Sequence, residues 1–466
     1  MKPADLTALD ATELAAHVQS RTISARRLVE ATLARIEELE PTINAFRIVM
    51  AEDALAEADL IDSLPDNELA ELPLAGVPVA IKDDTNVAGQ STMWGSAVDR
   101  GICTADAEVV ARLRRAGAVI IGKTNTPELT LWPWTASQQW GVTRNPWDLD
   151  RTPGGSSGGS GAAVCSGMAA MALGSDGGGS IRYPAGLTGL VGMKPQRDRV
   201  PLGPEHASGW NGLIVLGPLT RSVRDAALFL DIVGGDPTAT RLRDAVDAPG
   251  RGLRIAVSTN APPGSQVSLS PARRKQVDEV ASLLTNLGHD VSKVDVDYGI
   301  ASLWQSTVRL LKGAQQDAAS MPDQHALERR TRAVARMGGL IPNHSLRKAI
   351  GREQRVAESI NRVFDNADVV LTPLCEAPAS MIDDCPQRGA ARSLRAANTS
   401  AWLVPWNLTG QPAIAIPTGI DGKGMPTAIH MAGQADDEAS LLVVASQIEG
   451  ALPFPRWTRS PTCPGT

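Results

Sequence analysis

Between Gly154 and Ser180 the chain reads GGSSGGSGAAVCSGMAAMALGSDGGGS, two Gly/Ser clusters on either side of an apolar run about one helix long. Glycines in the first cluster let the backbone approach a ligand closely while the hydroxyls of Ser156 and Ser157 stay uncovered. The second cluster, Gly177-Gly178-Gly179-Ser180, adds another hydroxyl and successive backbone N–H groups. Such N–H dipoles, fixed before reaction, stabilise a developing oxyanion. A hydroxyl beside an oxyanion hole is the equipment of acyl transfer.

Gly/Ser-rich runs are more often linkers, yet a linker would not enclose Ala162 to Leu173, whose Ala, Val, Met and Leu residues suit a buried helix. The first cluster also satisfies the G-x-S-x-G nucleophile elbow with Ser157 at its centre. That motif requires a strand immediately before it, and Arg144 to Pro153 read as loop. Neither the P-loop nor the G-x-G-x-x-G phosphate pattern occurs in this stretch.

A serine nucleophile needs a base, usually histidine, but His17, His206, His289, His325, His344 and His430 all lie outside these motifs. A lysine can serve if burial disfavours its ammonium form. Lys82 follows the strand-like run Val77-Pro78-Val79-Ala80-Ile81 and so points to the interior; Asp83 and Asp84, if they face it, would hold it protonated. The residues alone leave a base and a structural ion pair equally open.

The two clusters, with Gly76-Val77-Pro78-Val79-Ala80-Ile81-Lys82-Asp83 upstream, resemble the amidase signature family of serine hydrolases. The resemblance runs from the N-terminal helices to Gly433-Gln434 and includes Gly122-Lys123-Thr124-Asn125, Asn145-Pro146-Trp147 and Asn407-Leu408-Thr409-Gly410. It implies Lys82 as base, Ser156 as a relay serine preceded by a cis peptide bond, and Ser180 as nucleophile, with Gly177, Gly178 and Gly179 at the oxyanion. It also implies an amidase that releases a carboxylate and ammonia or an amine through an acyl-enzyme, with no metal or organic cofactor. An amidotransferase A-type subunit delivering ammonia to a partner, or a silent binding protein, are the competing readings. The segment Pro204 to Gly217 departs from the amidotransferase pattern, and a binder has no use for Lys82, Ser156 and Ser180 together. The family places Thr130 to Trp134 near an acyl pocket, making Thr130 and Trp132 substrate-binding candidates against simple core packing. Asp198 stands where the family usually has glycine.

The expected architecture is an α/β/α layered domain with a mixed central sheet, residues 1–466 forming one amidase domain. N-terminal helices occupy about 1–60, the catalytic core about 70–235, and a variable helical region at about 300–365 shapes the substrate entrance. Ser24 caps a helix carrying Leu28, Val29, Leu33, Ile36 and Leu39 at helical spacing. Val109 to Arg115 reads as helix and Ala116 to Gly122 as a buried strand, Leu253 to Val257, Asp368 to Thr372 and Ala413 to Ile416 as further strands, and Asp236 to Gly252 as a polar loop. With 43% hydrophobic residues and net charge −6, the 466-residue chain describes a soluble enzyme with no nucleic acid or membrane as partner; the resemblance implies a small-molecule amide substrate, and a homodimer is left open. Its five cysteines, Cys103, Cys165, Cys375, Cys385 and Cys463, show no metal or disulfide spacing, and with no signal peptide or span the expected compartment is the cytoplasm.

Overall fold

The computed structural model describes residues 2–458 except 207, 235–240, 249, 251, 266, 385–388, 391–392 and 394–397. Its centre is a sheet of β1 (Phe46–Val49), β2 (Pro78–Lys82), β3 (Val119–Thr124), β6 (Met171–Asp176), β7 (Val191–Lys194), β8 (Val215–Thr220), β9 (Arg254–Val257), β10 (Asp290–Lys293), β11 (Val369–Pro373), β12 (Ala413–Ile420) and β13 (Pro426–Gly433). A separate short ribbon pairs β4 (Ala136–Ser137) with β5 (Gly141–Val142). The sheet order is β1-β3-β2-β6-β8-β7-β12-β13-β11-β9-β10. It is mixed: β3, β2 and β6 run parallel, as do β11, β9 and β10, and the ladders between β6 and β11 are antiparallel.

The strands that matter most for the site are β2, β3 and β6, and every residue in them is buried. Strands covered on both faces need near-continuous apolar side chains, which Val79, Ala80, Ile81 and Val119-Ile120-Ile121 provide. Each fully buried Val or Ile contributes about 1.5–3 kcal/mol by leaving water, so the register that brings Ile81 opposite Lys123 and Leu173 is firmly held. Helix Gly158–Cys165 packs on this part of the sheet, Val223–Val233 on β8 and β7, and Arg182–Thr188 on the β7–β12–β13 part. Ser24 caps the helix Ala25–Ile43 by accepting from the Arg27 amide.

Two expectations are corrected. Ala162 to Leu173 is not one helix: the helix Gly158–Cys165 stops, Gly167 turns with φ +77°, and β6 begins at Met171. Both halves are buried on all sides, so neither shows the one-sided pattern that separates helix from strand. The segment 236–252 holds a short helix, Leu242–Asp247, and 236–240, 249 and 251 lie outside the described residues. Asp198, in contrast, takes the left-handed backbone that suits a glycine, with φ +69°, as aspartate tolerates better than most residues.

Candidate active site

The parallel pair β2 and β6 ends at one edge of the fold, and the candidate residues gather at those carboxyl ends, where open α/β sheets place their ligands. Lys82 is the last residue of β2 and wholly buried. Its Nζ lies 2.7 Å from Ser156 Oγ and 2.7 Å from Ser175 Oγ, with Asp84 Oδ2 at 3.2 Å. Ser175 Oγ in turn donates to Asp84 Oδ2 at 2.5 Å. Burial pushes Lys82 below the usual amine range, against the opposing pull of Asp84. At Asp84, burial acts upward, but Lys82, His206 and the Ser175 hydroxyl outweigh it and hold the carboxyl below its usual range.

Only one of the two aspartates faces the lysine. β2 ends at Lys82, and the turn that follows, closed by the Thr85 amide donating to the Lys82 carbonyl at 3.1 Å, brings Asp84 back to Lys82 and sends Asp83 the other way. Asp83 instead meets Arg47 at 2.9 Å and Lys123 at 3.0 Å. The sequence carried no sign of which aspartate faces the lysine, and Ser175, the hydroxyl joining Asp84 to Lys82, carried no separate signal either.

Ser156 follows a cis peptide bond at Gly155. Gly155 is required there by close approach: a Cβ would lie 2.5 Å from the Trp132 carbonyl oxygen and 2.6 Å from the Trp134 nitrogen. Ser157, the elbow candidate, is fully buried, its hydroxyl donating to the Ser175 carbonyl at 3.3 Å, and no strand precedes it. Its amide donates to the Ser180 carbonyl at 3.2 Å, which stitches the two Gly/Ser clusters together.

The second cluster is shaped by Asp176. Its carboxylate accepts from the Gly179 amide at 2.6 Å and the Ile181 amide at 3.2 Å. It also takes Arg182 through Nε and Nη2, both at 2.9 Å, and Asn407 Nδ2 at 2.9 Å. Although buried, it is held far below the usual carboxylate range by Arg182. Arg182 is completed by Asn407 Oδ1, the Leu403 carbonyl and His430 Nε2. The Gly179 N–H is thus committed to Asp176, while the amides of Gly177, Gly178 and Ser180 have no hydrogen-bond partner among the described residues. Ser180 is partly exposed and its hydroxyl is likewise without a partner among them.

Thr130 is buried with φ +56°, its amide donating to the Pro127 carbonyl. Trp132 and Trp134 stack at 5.9 Å, beneath the Arg330 guanidinium. Both pack with Leu311, Ala314 and Val334, so the Trp132 ring sits in a filled cluster. Among the described residues no group of three or more His, Cys, Asp or Glu could hold a metal ion.

A family model described as Amidase matches residues 27–442. The "Putative amidase AmiB2" of Mycobacterium tuberculosis is 44% identical, covering 97% of this chain and 98% of its own. The 6-aminohexanoate-cyclic-dimer hydrolase of Paenarthrobacter ureafaciens is 34% identical over 96% of this chain and 95% of its own. A solved structure of 6-aminohexanoate cyclic dimer hydrolase complexed with substrate superposes with a TM-score of 0.88 at 31% identity, covering 98% of this chain and 99% of that one. The chain belongs to the amidase family, hydrolases of amide C–N bonds, and has the fold of the amidase signature enzymes.

Proposed function

We propose that this amidase works through an acyl-enzyme on Ser180, with Ser156 as proton relay and Lys82 as base. The observation that carries this is the contact set of the Lys82 amine. Ser175 has committed its proton to Asp84, so toward Lys82 it can only accept. Ser175 Oγ and Asp84 Oδ2 therefore take the two N–H bonds of a neutral amine, leaving its lone pair for the Ser156 hydroxyl. Burial favours that neutral form.

When the amide carbonyl seats against the cluster, Ser180 Oγ attacks while passing its proton to Ser156, whose own proton goes to Lys82. Catalytic hydrogen bonds of this kind tighten in the substrate complex. The free amides of Gly177, Gly178 and Ser180 hold the oxyanion; Gly179 contributes by shape, since its N–H is engaged. The proton returns through Ser156 to the leaving nitrogen, and water cleaves the ester by the same relay. The backbone of Trp132 borders the first cluster at Gly155, which supports an acyl-binding role for this segment and its Thr130.

The family relatives support a small-molecule amide, linear or cyclic. Helices Gly299–Ala319, Arg329–Gly339, Asn343–Ile350 and Glu353–Asn361 fill the region expected to shape the entrance. Three unpaired thiols, Cys103, Cys165 and Cys375, support a reducing compartment such as the cytoplasm; Cys385 and Cys463 lie outside the described residues. No described helix is long and apolar enough to cross a membrane.

Incubating the protein with a fluorophosphonate and mapping the adduct tests this directly. One adduct is expected, on Ser180. An adduct on Ser157 would overturn the assignment.

A further inference from the structure

Behind the second Gly/Ser cluster the Arg182 guanidinium is wholly buried, and each of its five N–H bonds finds an acceptor. Nε and Nη2 reach the two oxygens of Asp176, both at 2.9 Å. The second hydrogen of Nη2 goes to Asn407 Oδ1 at 2.6 Å, and Nη1 divides its pair between the Leu403 carbonyl and His430 Nε2, both at 3.0 Å. Four of these acceptors are oxygens. The fifth, an imidazole nitrogen, accepts only while it carries no proton.

That condition fixes the state of the ring. Arg182 can only donate, so His430 Nε2 is bare and the proton of the neutral imidazole sits on Nδ1. There it has a partner, since Nδ1 lies 2.8 Å from the Oγ1 of Thr372, the residue opposite His430 in the pairing of β11 with β13. His430 is wholly buried inside the sheet, with β12 on its other side and the Trp406 ring 6.5 Å away. Burial first, then the charge of Arg182, holds the imidazole well below its usual range, with Lys194 acting in the same sense and Asp176 against them. The ring is neutral at neutral pH.

A continuous set of bonds leads from this ring to the second cluster. Asp176, gripped by Arg182 through both oxygens, takes the Gly179 amide at 2.6 Å and the Ile181 amide at 3.2 Å. With Gly179 so turned, at φ +118°, the amides of Gly177, Gly178 and Ser180 stay unengaged among the described residues. A buried Arg182 N–H that lost its nitrogen acceptor would cost about 1–3 kcal/mol. The guanidinium escapes that cost only by turning toward another acceptor, and any such turn moves both Asp176 oxygens and the two amides bound to them. A misplacement of about 1 Å at a reaction centre costs about 10²-fold in rate.

We propose that His430 is a positioning residue for the oxyanion segment: in its Nδ1–H form it supplies the fifth acceptor that fixes Arg182 and, through Asp176, the backbone from Gly177 to Ser180. This rests on Ser180 being the site of attack. Nitrogen-15 spectra of histidine-labelled enzyme read the ring directly, with His430 assigned by its loss in His430→Gln. Expected are a protonated Nδ1 and a bare Nε2 that do not change between about pH 5.5 and about pH 8. A proton on Nε2, or titration near the ordinary imidazole value, overturns the proposal.

Kinetics read the consequence. His430→Leu should lower kcat by about 10- to 100-fold with KM within about threefold of the original. It should weaken by the same factor the inhibition by a trifluoromethyl ketone, whose adduct on Ser180 carries the oxyanion. His430→Gln, whose amide oxygen can take the Arg182 N–H, should rescue kcat to about a third of the original or better. An unchanged kcat in His430→Leu, equal losses in the two variants, or a lower kcat with undiminished ketone inhibition would each sink the idea. If His430→Leu does not fold, the spectra and the kcat of His430→Gln decide. Fluorophosphonate labelling of the unsubstituted enzyme separates the two readings. Absence of a Ser180 adduct removes the nucleophile assignment and this proposal with it, whereas a normal adduct beside an unaffected His430→Leu removes this proposal alone.

Discussion

Two lysines, Lys82 and Lys123, sit on neighbouring parallel strands, both wholly buried and both pushed below the usual amine range by burial. Their partners differ. Lys123 meets Asp83 at 3.0 Å, the Thr92 hydroxyl at 2.6 Å and the Ser91 carbonyl at 2.9 Å, and Asp83 is shared with Arg47. Every contact accepts from the lysine, so its ammonium is satisfied and its lone pair has no use. Lys82 has two hydroxyls, one of them already turned toward Asp84 and the other, Ser156, left free to donate. Burial is common to both lysines, and under the proposed mechanism it is the direction of the surrounding protons that separates Lys82, as base, from Lys123, as ion pair.

The comparison breaks most sharply by deletion. Ser180→Ala and Lys82→Ala are each expected to lower kcat/KM by about 10⁴-fold or more, and Ser156→Ala by about 10²- to 10⁴-fold, in a steady-state amide assay. Lys123→Met should do the reverse. It leaves Asp83 with Arg47 and the Met93 amide but without its lysine, costing about 3 kcal/mol of stability in a urea titration, while kcat of the folded protein stays within about twofold of the original. Equal losses of activity from the two lysines would erase the distinction.

A smaller effect sharpens it. The charge of Asp84 favours the ammonium form of Lys82 and so opposes burial. Asp84→Asn removes that opposition, Lys82 loses its proton more readily, and the neutral base persists to lower pH. The acid limb of the kcat/KM profile should move down by about one pH unit. A shift upward would mean that Lys82 acts as an ammonium.

Much of this was legible beforehand. The Gly/Ser clusters and the strand into Lys82 depend on local composition, and the structure brings Lys82, Ser156 and the Ser180 segment to one edge of the sheet. What could not be read was the choice among chemically similar groups. Ser157 and Ser156 are adjacent serines, and only the packing of Gly155 and the turn of the Ser157 hydroxyl to Ser175 tell them apart. The reach of Ser175 between Lys82 and Asp84 depends on pairing β2 with β6, a contact between residues far apart in the chain. The division of Ala162 to Leu173 into helix and strand was hidden because total burial removes the periodicity that would reveal it.

The bond from the Ser157 amide to the Ser180 carbonyl closes a loop of about two dozen residues, whereas Lys82 comes from 74 positions before Ser156. Closing the longer loop costs only about 1 kcal/mol more chain entropy than closing the shorter, yet the two closures are separable. A chain in which β2 has come away from β6 keeps its serines side by side and loses Lys82. Under the proposed mechanism such a form would be chemically silent, and acyl transfer would begin only when the sheet is complete.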